Sequence, residues 1–191
     1  MSVRKAILFV CVAELAIGLL ALNNYGWTLE GLQAVTRFSG RLSLLLFSFI
    51  FLFHKGTFDL SEWLSPHYFL VFAVAHGIHL FELLSYVYLS KIPLVPHRLA
   101  GGFVAYVFIF VMPLVHHRYL NDRITERRFT TTVLVYLYYV WFVFFMTYLA
   151  RVQGTFPNAG GNYYEHVVLL GWVSLMLGMR IQRFAFKRLG R

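Results

Sequence analysis

Six long apolar runs, separated by short polar stretches, set the pattern of this chain. They are Ala6–Leu22, Val35–Phe53, His67–Leu89, Leu99–Val115, Thr130–Ala150 and Glu165–Ile181. Crossing a bilayer core takes about 20 mainly apolar residues in helical form. Lipid offers no partner to an open backbone group, so each run is expected to be a helix. Proline and glycine punctuate the connections. Pro66 opens the third helix, and Pro93 and Pro96 mark the turn before the fourth. Pro157, Gly160 and Gly161 fall in the longest loop, Val152–Tyr164. Thr130, Thr131 and Thr132 are expected to start the fifth helix, their hydroxyls satisfying open backbone donors. The pattern predicts an all-α integral membrane bundle of about six transmembrane helices. It forms a single transmembrane domain over residues 1–191, with no soluble domain or low-complexity tract.

Composition agrees. The 191 residues are 59% hydrophobic and 19% aromatic, with 13% charged, whereas soluble domains are nearer half apolar and a quarter charged. The net charge of +9 could suit nucleic acid in a soluble protein. Here the basic residues cluster between apolar runs, so membrane orientation accounts for them and no nucleic-acid partner is expected. With the N-terminus inside, twelve of the 17 Lys and Arg residues fall on inner segments. The densest are the Arg118–Arg128 loop and the tail from Arg180. The expected topology is therefore N-in/C-in, in a bacterial-type inner (cytoplasmic) membrane. Trp27, Trp63, Tyr88, Tyr148, Tyr163 and Tyr164 lie near helix ends, as an interfacial belt requires. Arg4 and Lys5 before an apolar stretch resemble a signal peptide. Asn23-Asn24 follows instead of a small-residue cleavage site, so the stretch is expected to stay as the first helix. Cys11 is the lone cysteine, which excludes an internal disulfide and a cysteine-based cluster.

Ionisable residues inside a bilayer are costly and usually face the bundle interior. Glu14, His76, His79 and Glu82 are the conspicuous ones. Helical spacing puts His76, His79 and Glu82 near one face, and Gly77 allows close approach of a helix or a flat cofactor. Three readings compete: haem ligation by an imidazole, a proton or quinone site in which His79 and Glu82 exchange protons, and histidines that merely bond to neighbouring helices. The remaining histidines lie near helix ends, where the bland interfacial reading is favoured for each alone. His54, His67, His116 and His117 could meet at an inner level, and His79, His97 and His166 at an outer one. No dinucleotide fingerprint, Walker loop or HExxH motif is present.

The second-helix segment Thr36-Arg37-Phe38-Ser39-Gly40-Arg41 before a Leu-rich run, and the third-helix run Phe72–Leu80 with its histidines, resemble the ferric reductase-like transmembrane domain. The similarity is greatest to its small MsrQ-type six-helix subunits. Lys91-Ile92-Pro93, Gly101, Gly102, Met112-Pro113-Leu114, Arg127-Arg128, Tyr136 and Leu177-Gly178-Met179-Arg180 continue it, over roughly residues 34–182. The resemblance implies haem b, with His79 or His76 as the matching iron ligand. It also implies electron transfer between a quinol or partner reductase and an acceptor, beside other membrane or redox subunits. The chain departs from that family in one respect. Its fifth helix has no histidine, so pairing between third and fifth helices is replaced by candidates such as His79 with His166 or His97. A non-enzymatic subunit that has lost haem, as scaffold of a larger complex, is the alternative. Proton or small-solute transport through Glu14 and Glu82 is the third.

Overall fold

A computed structural model describes residues 2–54, 65–93, 96–155 and 160–189, without the side chains of 96–99 and 184–189. Regular structure among them is entirely helical: α1 Val3–Tyr25, α2 Leu29–Phe53, α3 Tyr68–Leu89, α4 Pro96–Leu120, α5 Glu126–Val152 and α6 Tyr163–Leu189. Each expected helix is present, and most outrun their apolar core because polar caps extend the backbone ladder. Thr28 accepts from the Gly31 N–H at 3.3 Å and starts α2 well before Val35. Asn162 accepts from Tyr164 N–H at 3.0 Å, while Glu165 reaches back to the Asn162 N–H at 3.3 Å, closing a capping box on α6. The fifth helix corrects the sequence expectation. It begins a turn ahead of the three threonines, and the Thr131 and Thr132 hydroxyls donate to the Arg127 and Arg128 carbonyls. Mid-helix threonines bond back along their own helix, which leaves no capping task for these two.

The α1, α2, α3 and α5 helices, and α4 from Ala100, are long and apolar enough to cross a bilayer. This is a multi-pass, all-helical membrane architecture. Its outer surface is correspondingly apolar, with Phe9, Leu15, Phe81, Phe103 and Val168 exposed.

The hub is α2. Of its most apolar window 61% is buried, against 22–28% for the other four spans. The sequence α2, α3, α4, α5, α6 closes a ring back onto α2, and α1 lies against α2 and α3. One core draws on all six helices, with Phe47, Phe51, Phe69, Phe72, Leu137 and Met176 fully buried. Lipid is as apolar as leucine, so packing and interhelical hydrogen bonds must hold such a bundle together. Gln33 donates to the Tyr86 hydroxyl at 2.8 Å between α2 and α3. Trp172 donates to Ser48 at 2.9 Å between α6 and α2, and Trp141 to the Val173 carbonyl at 2.9 Å between α5 and α6.

Successive helices run in opposite directions. The near end holds the start of α1 and the ends of α2 and α6; the far end holds the α1–α2 turn and the start of α6. At the near end Arg180 and Arg183 of α6 donate to the Phe51 and Leu52 carbonyls. These are the open carbonyls of the last turn of α2, where a cation also meets the negative pole of the helix. At the far end the α1–α2 turn is tight. A Cβ on Gly31 would collide with the Gly26 carbonyl, and Gly26 itself has a φ of 81°.

Candidate functional site

The polar interior lies where α1, α2 and α3 meet. Glu14 is only 3% exposed although it sits midway along α1. Ser39 and Ser43, one turn apart on α2, are fully buried. The Ser39 hydroxyl stands between the carboxyls of Glu14 and Glu82, near enough to act on both. It closes no hydrogen bond with either. The two carboxyls also sense each other's charge. Three helices thus bring two carboxyls and a hydroxyl to one point in the apolar span.

One turn before Glu82, the His79 ring abuts α2. A Cβ on Gly40 would stand 3.0 Å from its Cε1, and the Thr36 backbone lies alongside. A side chain at position 40 would therefore crowd the His79 imidazole. The His76 ring follows, 5.3 Å from His79 between centroids. It is enclosed by Phe72 at 5.3 Å, Tyr106 at 5.0 Å and Phe144 at 5.9 Å. Both Glu14 oxygens, Ser39 Oγ, Ser43 Oγ, His79 Nδ1, His76 Nδ1 and one Glu82 oxygen are buried without a protein hydrogen-bond partner. Natural structures leave few such atoms, and ionisable groups buried inside a span point to functional chemistry.

A Gly40→Ala substitution tests this contact. The added methyl group must push the His79 imidazole by a few tenths of an ångström. The expected result is a shifted His79 ring resonance in solid-state NMR, with helix content by circular dichroism unchanged.

Below His76, Phe47 joins Phe72 and Phe144 at 5.7 and 5.3 Å to form an aromatic layer across the bundle. Beyond it, toward the near end, lies a second polar group. His54 Nδ1 is 2.7 Å from the Tyr68 hydroxyl, and Tyr68 and Phe69 flank His116 at 5.1 and 5.0 Å. His67 stands 6.5 Å from both His116 and His117. The four inner-level histidines of the sequence reading thus gather at one end.

The outer-level set does not gather in the same way. His166 spends its Nε2 on the Gly160 carbonyl at 3.0 Å, and among the described residues no ring contact joins it to His79. The His97 side chain lies outside the described residues. A haem held by two histidines needs imidazoles on opposite faces of one porphyrin. His76 and His79 are neighbours on one helix with rings turned to the same region, and aromatic rings fill the remaining sides of His76. His76 and His79 together therefore do not fit as the two axial ligands of one haem. No group of three or more potential metal-ligating His, Cys, Asp or Glu residues occurs among the described residues.

Sequence reasoning singled out Glu14, His76, His79 and Glu82 but missed Ser39, Ser43 and the meeting of Glu14 with Glu82. The available signal was the series of small hydroxyl residues on the second apolar run, at positions 36, 39 and 43. The chain matches no protein-family model, no curated protein and no solved structure. The resemblance to ferric reductase-like domains rests on its motifs alone.

Proposed function

We propose that this protein moves protons across a membrane through a carboxyl–histidine relay between α1, α2 and α3. The observation that carries this reading is the run of buried polar atoms without protein partners, from Glu14 and Glu82 through Ser39 to His79 and His76. A carboxyl and an imidazole can each accept a proton at one atom and release one from another, and a hydroxyl can accept one on its oxygen while giving up its own. Such groups inside a span are the usual stations of a proton path. In the proposed route a proton enters from the far end at the carboxyl pair. Like charges at short range cannot both be ionised cheaply, so the pair shares a proton. Ser39 lies between the two carboxyls, and His79 and His76 carry the path to the aromatic layer. Below that layer the Tyr136 hydroxyl, the Tyr68–His54 hydrogen bond and the near-end histidines continue the path.

The same reading takes α6 as a sixth crossing and places both termini on the cytoplasmic side. Its support is the bias of basic residues toward the near end.

The test uses the full chain in lipid vesicles buffered with potassium phosphate, with valinomycin clamping the potential and a trapped pH dye. The wild-type protein is expected to collapse an imposed pH gradient faster than empty vesicles do. Glu82→Gln keeps the size and hydrogen-bonding capacity of the side chain but removes its titration, and should slow the collapse about tenfold or more. A wild-type rate equal to that of empty vesicles, or a Glu82→Gln rate equal to wild type, rules the reading out.

A further inference from the structure

The far end of this interior carries a charge imbalance that the proposed relay does not use. Arg37 and Arg41 are one turn apart on α2 and share a face. Arg151, in the last turn of α5, lies within electrostatic reach of both. Among the described residues the acid that meets them is Glu165, whose carboxylate is 2.5 Å from Arg41. That carboxylate is shared with the cap of α6. Two guanidiniums, those of Arg41 and Arg37, therefore act on one carboxylate, with Arg151 adding a third positive charge within reach of both.

Their orientation matters as much as their number. Arg37 lies over the rings of Tyr25 and Phe38 at 5.6 and 5.2 Å, Arg41 over Phe38 at 4.7 Å, and Arg151 over Tyr148 at 5.7 Å. A cation held over an aromatic face is anchored there by the ring quadrupole, while its N–H groups can still reach an oxyanion. The Nε–H groups of Arg37 and Arg41 are buried and have no protein partner. The N-terminus of the 27-residue helix α6 opens at the same place, and such an end also favours an anion. Excess cations in a poorly solvated position are unfavourable unless an anion joins them.

We infer that Arg37, Arg41 and Arg151 form a binding site for a small oxyanion, a carboxylate or a phosphate, at the far-end mouth of the relay. The inference rests on the proton reading for its role. The Arg151 charge is also felt at His79, so an anion held beside Arg151 adjoins the proposed route. The chemistry is common to a soluble anion and a lipid phosphate, and the experiment separates the two.

The full chain in maltoside detergent is titrated with acetate and with inorganic phosphate, at constant ionic strength, and thermal unfolding is followed. The expected result is saturable stabilisation. Arg41→Gln should weaken it about tenfold or more, and Arg41→Lys should retain part of it. Glu165→Gln removes the internal competitor and should tighten binding about threefold, an outcome that misfolding cannot mimic. Stabilisation by added phosphatidylglycerol but not by either soluble anion, and lost in Arg41→Gln, assigns the site to a lipid headgroup. No stabilisation of the wild type by any of these probes overturns the inference, as does an unchanged response in both Arg41→Gln and Arg151→Gln. Glu82→Gln should lose proton movement yet bind the anion normally. Failure of the anion site with Glu82-dependent proton movement intact removes this inference alone.

Discussion

Glu14→Met is expected to abolish proton movement and at the same time make the protein more stable. Methionine has nearly the volume and helix preference of glutamate, so α1 and its packing should persist. What disappears is a buried carboxyl whose two oxygens have no protein partner. Leaving such a group unsatisfied costs about 1–3 kcal/mol, and apolar replacement recovers much of it. Stability should rise by about 1–2 kcal/mol, measured by denaturant titration in detergent. Proton movement should fall to the background of empty vesicles, because the proposed route loses one of its two carboxyls. A structural glutamate would give the opposite pattern, with stability lost and any transport retained. The two measurements together separate a functional carboxyl from a packing residue.

Phe47→Ala should have the largest effect on stability. The ring is fully buried and touches Phe51, Phe72 and Phe144 between 5.3 and 5.7 Å. In a water-soluble protein its removal would cost about 3–5 kcal/mol. Here the dissociated helices are solvated by lipid, which is as good a solvent for phenyl as the core. The transfer part of that cost largely drops out. Lost dispersion contacts and the cavity remain, so about 2–3 kcal/mol is expected. Phe47 also belongs to the aromatic layer that parts the carboxyl–histidine group from the near-end histidines. Opening that layer should raise passive proton leak in vesicles, even as the protein becomes easier to unfold. A ring that only fills space would lower stability without changing the leak.

Much of the fold was legible because a bilayer imposes one rule on every span. Apolar runs long enough to cross must be helical, so six runs became six helices. The ends were less legible. The α2 helix begins at Leu29 through Thr28, and α5 begins at Glu126 ahead of its threonines, because caps and interfacial residues carry no hydropathy signal. Within the site, His76, His79 and Glu82 could be placed on one face by helical spacing alone. Glu14 was conspicuous as a charge in a span, but its neighbour was not. That Glu14 of α1 and Glu82 of α3 flank Ser39 of α2 depends on how three helices rotate about their axes, which spacing within any one helix does not specify. That Arg151 of α5 comes within electrostatic reach of Arg37 and Arg41 of α2 depends on the same packing.

The sequence by itself determined the class of protein, the number of helices and which residues of each would be costly in lipid. Those follow from local hydropathy and from the backbone's demand for partners. The tertiary structure alone decided which costly residues meet. It joined two carboxyls about one serine and pressed His79 into the space left by Gly40. It set three arginines within electrostatic reach of one another at the far end and turned His76 toward aromatic rings. The physical reason is that helix–helix packing in lipid is set by side-chain shape and a few hydrogen bonds between helices, whose contacts join residues far apart in the chain.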